Sequence, residues 1–190
     1  MDWQQLIYDL FVYDPEAPLM FNTGSFFLLF IGFITIYALI HKNKLSVTLW
    51  VIAFSFFFYY KSSGLYWLIL VFTCLSDYYF AYYIHRSQSR RTRLILVWLS
   101  VGISLGILFF FKYSGLLVGN FNAIIQGNFQ IEDLLLPVGI SFYTFQSISY
   151  VLDVYWGNLK PTKNLLNYAF FLSYFPQLVA GPIVKAKDFL

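Results

Sequence analysis

What most constrains this chain is a series of apolar runs, each close to the length that crosses a bilayer, separated by short loops that hold most of the basic residues. They cover about residues 25–40, 45–60, 65–84, 94–111, 134–155 and 165–184. A transmembrane helix needs roughly 20 mostly apolar residues. Charged residues make up 11% of the chain, against about 25% in an average soluble domain, so polar side chains are too few to cover a globular surface. The sequence therefore predicts an all-α fold, a polytopic transmembrane helix bundle. Residues 1–23 read as an extracytoplasmic or interfacial segment and residues 24–190 as the membrane portion. Aromatics reach 23%, and runs such as Phe56-Phe57-Phe58-Tyr59-Tyr60 are too dense for interfacial belts alone, so they should pack between helices.

The ends of the runs set an expected topology. Lys42 and Lys44 follow the first run, Arg86, Arg90, Arg91 and Arg93 the third, and Lys160 and Lys163 the fifth. The alternate loops hold isolated Lys61 and Lys112. The positive-inside rule puts the basic loops in the cytoplasm and the N-terminus outside. Trp3, Leu6, Ile7, Leu10 and Phe11 recur at helical spacing, which predicts a short interfacial helix ended by Pro15 and Pro18. Residues 114–133 contain Gly and Asn and read as a loop with at most a surface helix. The last run is interrupted by Pro176 and by Gly181-Pro182, which suits a kinked or re-entrant helix packed in protein, with Pro176 and Gln177 as structural candidates. A net charge of +3 confined to loops gives no nucleic-acid surface. Cys74, the lone cysteine, reads as a small core residue.

The fifth run, 134–155, is the most informative because it is interrupted by Ser141, Thr144, Gln146, Ser147, Ser149 and Asp153. Unsatisfied polar groups in hydrocarbon cost several kcal/mol each, so such a span must face protein or water. At about 100° per residue, Gly139, Phe142, Gln146, Ser149 and Asp153 share one arc, with Thr144 and Ser147 on a neighbouring face. Two readings stay open: a polar stripe lining a tunnel or substrate channel, or a buried helix whose polar groups bond to neighbouring helices. Asp77 is the other intramembrane acid, four residues after Thr73. Capping, pairing with a basic residue and proton relay are all available to it, and capping or pairing fits a face with no second acid. His41 and His85 sit at basic loop ends and read as solvated. No H-E-x-x-H, G-x-S-x-G, Walker A or Cys/His metal spacing occurs, so no catalytic residue and no metal ligand is expected in this chain.

Two segments carry a specific resemblance: LPVGISFYTFQSISYVLDVYWG at 136–157 and NYAFFLSYFPQLVAGPI at 167–183. With FNTGSFFLLF at 21–30, SDYYFAYYI around Asp77 and LFFFKYSGL at 108–116, the chain from about residue 19 onward resembles the membrane-bound O-acyltransferase family. It is most similar to the bacterial branch that acetylates alginate and other exopolysaccharides, with the teichoic-acid D-alanyl transferase as a cousin. Trp156 stands where such proteins often have arginine. The resemblance implies a ring of helices around a central tunnel and an intramembrane histidine as base. It implies an acyl donor on the cytoplasmic side, such as acetyl-CoA or a carrier-bound acyl group, with no cofactor held. It also implies an extracytoplasmic polysaccharide acceptor or a periplasmic acyl-relay protein, and a place in the bacterial inner membrane. Neither His41 nor His85 matches the family histidine, so the chain is expected to be the N-terminal part of such an enzyme, ending before that residue and inactive alone. Competing expectations are a small transporter or channel subunit with a pore-lining fifth span, and a non-catalytic membrane scaffold.

Overall fold

The computed structural model describes residue 8 and residues 10–125, 136–181 and 184–189. Among these, every regular element is helical: α1 (Gly24–Ile40), α2 (Lys44–Ser63), a 3₁₀ turn (Gly64–Tyr66), α3 (Trp67–Arg86), α4 (Arg90–Ile125), α5 (Ile140–Trp156), α6 (Leu165–Ser173), α7 (Phe175–Ala180) and α8 (Ala186–Phe189). The starts are written locally in the sequence. Thr23 accepts from the Phe26 amide, Asn43 from Leu45 and Ser46, and Asn164 from Leu166, each filling an orphan donor of a first helical turn. The end of α5 follows an equally local rule. Gly157 takes a left-handed conformation (φ 81°) and turns its amide back onto the Asp153 and Val154 carbonyls.

The helical stretches Lys44–Arg86 and Arg90–Asn120 are long and apolar enough to cross a membrane, and Gly24–Ile40 is a shorter apolar helix. The outer surface carries Phe27, Ile31, Leu39, Ile95, Trp98 and Phe110, all exposed, which suits lipid rather than water. This is an all-α membrane helical bundle. Helices α3, α4 and α5 pack mutually, α6 lies against α2 and α3, and α7 contacts α2 and α5. One core runs through α3–α6, with Leu70, Ile84, Ile140, Tyr143, Tyr150 and Tyr168 essentially inaccessible. A second, aromatic core joins Leu19, Phe26, Phe54, Phe58 and Phe175. Its rings meet at 4.5 Å (Phe33–Phe54), 5.1 Å (Phe54–Phe175) and 5.2 Å (Phe21–Phe58). The dense aromatic run thus packs largely between helices, with Phe58 and Tyr59 buried.

Three expectations need correction. The loop foreseen from residue 114 is helical through Ile125, so α4 is 36 residues long. No proline interrupts Arg90–Ile125, and the apolar Leu116, Leu117 and Ile124 carry the helix past Gly115 and Gly119. At about 1.5 Å per residue α4 extends about 54 Å, more than the roughly 30 Å hydrocarbon core. The rest of that loop, 126–135, lies outside the described residues. Lys61 is no loop residue: it belongs to the last turn of α2, is 3% exposed, and its ammonium donates to the Val12 carbonyl. The Leu19 amide bonds the Lys61 carbonyl at 3.0 Å and Ser62 Oγ the Leu19 carbonyl at 2.7 Å, stitching the N-terminal segment to the end of α2. Finally, the fifth span becomes helical only at Ile140, because Pro137 has no amide to donate and Gly139 adopts φ 72°. Of the foreseen N-terminal helix, residues 8, 10 and 11 are helical, while Trp3, Leu6 and Ile7 fall outside the described residues. Pro182 lies outside them as well.

Candidate functional site

Helix α5 is the hub. Its buried residues are Ile140, Tyr143, Thr144, Gln146, Ser147, Tyr150, Val151 and Val154, a face too polar for lipid and fully enclosed by neighbours. Its entry is fixed by two contacts. The Val138 amide donates to Ser63 Oγ at 3.0 Å. A Cβ on Gly139 would stand 2.5 Å from the Leu178 carbonyl oxygen, so only a residue without one permits this approach of the α5 entry to α7.

Further in, Asp77 of α3 joins three helices. Its Oδ1 accepts from Ser100 Oγ of α4 at 2.7 Å, and its Oδ2 accepts from Ser147 Oγ of α5. The carboxylate is 1% exposed. Neither the cap nor the basic partner foreseen for Asp77 is the arrangement seen; two serine hydroxyls hold it. Ser100 is a residue that sequence reasoning missed. Its signal was Ser100-x-x-x-Ser104 in an otherwise apolar run, two small polar residues on one helix face, both buried.

The second polar centre is the break between α6 and α7. Continuing the helix would require the Phe175 amide to donate to the Phe171 carbonyl. Pro176 breaks the helix here: it has no amide for the Leu172 carbonyl and its ring would collide with that carbonyl, so the ladder around it, the Phe175-to-Phe171 bond included, is given up. Tyr174 instead opens to ψ 105°. Both freed groups are claimed by other helices: Gln146 Nε2 donates to the Phe171 carbonyl at 2.9 Å, and the Phe175 amide donates to Ser55 Oγ of α2 at 3.3 Å. Pro176 occupies the first turn of α7, where its missing amide costs nothing, and Gln177 is buried beside it.

The foreseen arc does not form a uniform surface. Gln146 is buried, Ser149 and Asp153 are half-buried, and Phe142 is 38% exposed. Asp153 Oδ1 accepts from Asn158 Nδ2 at 3.3 Å, and its backbone carbonyl caps the turn after α5. The enclosed stripe is Tyr143-Ser147-Tyr150, displaced by about 100° from that arc. His41 and His85 are exposed; His41 Nδ1 lies 2.6 Å from the Ala38 carbonyl. Among the described residues no group of three or more His, Cys, Asp or Glu could hold a metal.

At the basic end of the bundle the α5–α6 loop is pinned. The Thr162 amide donates to Tyr150 Oη at 3.1 Å, and Tyr78 Oη to the Lys163 carbonyl at 3.2 Å. Arg93 donates to the Tyr155 carbonyl and lies 5.2 Å over the Tyr155 ring. Trp156, next along, is exposed. A separate apolar cavity of about 460 Å³ lies between α1 and α2, walled by Leu29, Phe33, Trp50, Phe54 and Phe57. It holds none of the polar groups of α5.

No family model matches the sequence, and no solved structure does. Curated proteins do. The chain is 34% identical to the peptidoglycan O-acetyltransferase of Helicobacter pylori over 90% of its own length and 38% of the relative's. It is 34% identical, again over 90% of its length, to a Pseudomonas aeruginosa protein named "Probable alginate O-acetylase AlgI", covering 34% of it. The namesake from Pseudomonas putida is 45% identical over 52% of the chain and 21% of its own length. The chain thus spans little more than a third of the first two relatives.

Proposed function

Because the chain belongs to the membrane-bound O-acyltransferase family, in the branch of the alginate O-acetylases and peptidoglycan O-acetyltransferases, we propose that it forms part of an enzyme that moves an acetyl group across the bacterial inner membrane onto hydroxyls of an extracytoplasmic polysaccharide. The observation that carries this is a match over 90% of the chain to relatives named as O-acetyltransferases of two different glycan polymers. The fold suits the role. Acyl transfer needs fixed polar groups in a site that excludes water, and α5 brings Gln146 and Ser147 to buried, hydrogen-bonded positions within an apolar bundle.

In this reading α5 is a wall of the catalytic tunnel, with Phe142, Ser149 and Asp153 on its substrate side and Gly139 and Gln146 packed behind it against α7 and α6. The exposure of Phe142 and the partial exposure of Ser149 and Asp153 leave that side available to the remainder of the enzyme. The acyl donor, acetyl-CoA or a carrier-bound acyl group, enters at the end bearing Arg86, Arg90, Arg93 and Lys163, which faces the cytoplasm, with the N-terminus outside. The acceptor, a polysaccharide or a periplasmic acyl-relay protein, approaches from the opposite side. A base must come within about 3 Å of the acceptor hydroxyl. His41 and His85, exposed at helix ends, do not serve, and the base is supplied from the part of the relatives that this chain does not cover.

The test compares the 190-residue chain with the same residues joined to the remaining portion of the Helicobacter pylori relative, measuring acetyl transfer to periplasmic polysaccharide. Activity confined to the longer protein is expected. Activity from the 190 residues alone would refute the assignment of the base. In the active protein, Asp153→Ala should lower acetyl transfer; unchanged activity and yield would make Asp153 a bystander. Cysteines placed at Ser87 and Ser25 should label from opposite sides of the membrane, and labelling from one side would overturn the topology.

A further inference from the structure

Two recesses open side by side between α3 and α4. The first, of about 310 Å³, lies at the basic end and is walled by Tyr83, Arg86, Ser87, Thr92 and Leu96. The second, of about 340 Å³, continues along the bundle between Phe72, Phe80 and Tyr83 of α3 and Leu96 and Ile103 of α4. Tyr83 and Leu96 wall both, so the two form one groove. Its halves differ in chemistry. The end half carries the Arg86 guanidinium and the Ser87 and Thr92 hydroxyls. The deeper half is aliphatic and aromatic, and its Ser76 hydroxyl is turned to the Thr73 carbonyl at 3.1 Å.

Charge and depth are matched to the same kind of guest. A guanidinium has five N–H donors. One of those on Arg86 goes to Tyr82 Oη at 3.1 Å, and among the described residues Arg86 makes no ion pair. Arg90 and Arg91, exposed at the start of α4, add positive charge next to Thr92 in the chain. Tyr79, Tyr82 and Tyr83 are each about half exposed on this side of α3. Tyrosines on the outer surface of a membrane protein gather at the headgroup level. From Tyr83 back to Phe72 is eleven residues, about 16 Å along α3. Half of a roughly 30 Å hydrocarbon core is about 15 Å. The apolar half of the groove therefore runs from the headgroup level to the midplane, the depth of one leaflet.

We propose that the α3–α4 groove is a binding site for one anionic phospholipid, with its phosphate at Arg86, Ser87 and Thr92 and one acyl chain running past Tyr83 and Leu96 toward Phe72 and Ile103. A free anion would leave the apolar half unfilled, and an uncharged lipid would leave Arg86 without a counter-ion. An amphiphile with a negative headgroup fills both halves, and basic pockets between transmembrane helices are sites of this kind. The inference requires only that the bundle spans a membrane. It is independent of the acetyl-transfer reading and of which side the basic end faces.

The test titrates the purified chain in detergent micelles with phosphatidylglycerol, or with phosphatidylcholine carrying the same acyl chains, and counts bound lipid by native mass spectrometry. One phosphatidylglycerol per chain is expected, held at least about fivefold more tightly than phosphatidylcholine. Arg86→Gln should weaken it about fivefold, the share of one arginine beside an anionic headgroup. Arg91→Gln removes the same charge outside the groove and should weaken it less than about twofold. Ile103→Trp, which fills the deep end, should weaken it about fourfold for each methylene displaced. Equal affinity for the two lipids would overturn the proposal. Equal losses in Arg86→Gln and Arg91→Gln would reduce it to diffuse attraction, and an unchanged affinity in Ile103→Trp would remove the acyl chain from the groove; either result refutes it. Displacement of the lipid by inorganic phosphate at the same concentration would assign the pocket to a free anion instead. The lipid comparison and the phosphate competition need no variant, so they decide the matter even where a substitution unfolds the chain. Finally, a fusion to the remaining portion of the Helicobacter pylori relative that transfers acetyl groups yet binds no phosphatidylglycerol would show that protein covers the groove, and would also overturn the proposal.

Discussion

Replacing Gly139 with alanine tests the placement of α5 on α7 most directly. Two costs act together. Gly139 sits at φ 72°, and a left-handed L-residue costs about 1–2 kcal/mol. The added Cβ would lie 2.5 Å from the Leu178 carbonyl oxygen and 3.3 Å from its carbonyl carbon. The first is closer than real Cβ atoms come, and backbone cannot swing aside as a flexible side chain can. Separating α5 from α7 strains the packing by about 1–3 kcal/mol. The sum is about 2–5 kcal/mol, or a Tm lowered on the order of 5–15 °C for a chain of this size. Gly102→Ala is the matched control. Gly102 lies inside α4, and a methyl group added there would meet nothing within 4 Å. Alanine at that position gains about 0.8–1.0 kcal/mol of helix propensity. The two glycine substitutions should therefore move Tm in opposite directions. Thermal unfolding of the purified protein in detergent, read by size-exclusion fluorescence, measures both. Equal and small shifts would refute the reasoning, since they would mean that α7 does not press on the α5 entry.

The other predictions follow the polar centres. Asp77→Ala strands the Ser100 and Ser147 hydroxyls and should cost about 1–4 kcal/mol, given about 0.6–2 kcal/mol per hydrogen bond in membranes; Asp77→Asn should cost less, and folding yield with Tm reads the order. Gln146→Leu keeps volume but leaves the Phe171 carbonyl bare, so a loss of about 1–3 kcal/mol is expected, with unchanged Tm as the result that would contradict it. Arg93→Ala removes the contact with Tyr155, so limited proteolysis within residues 157–164 should quicken, and a cleavage rate equal to the parent's would show that the arginine does not hold the loop.

The membrane character and the boundaries of the first two helices were legible because they are local. Apolar runs marked the spans, and Pro176 with Gly181-Pro182 marked the broken last segment; the caps Thr23, Asn43 and Asn164 and the glycines at 64 and 157, found in the structure, also act through their own neighbours in sequence. The misreadings mark where local signals end. Gly115, Gly119 and Asn120 looked like loop, yet α4 continues, because isolated glycines weaken a helix without stopping it. Lys61 looked like a solvated loop residue, but the N-terminal segment folds back over it and offers the Val12 carbonyl.

The polar face of α5 shows the division best. Sequence by itself determined that this span cannot face lipid, since its serines, threonine, glutamine and aspartate would be unsatisfied there. It also confined the polar groups to particular arcs through the 3.6-residue period. Which arc is enclosed was decided only by the tertiary structure. Asp77, Ser100 and Ser147 come from three helices, with 70 residues between the first and the last, and the Phe171 carbonyl is free for Gln146 only because Pro176 breaks a different helix. Periodicity fixes where a side chain stands around its own axis. The hydrogen-bond partner across the bundle fixes what it does, and that partner is set by how the helices pack.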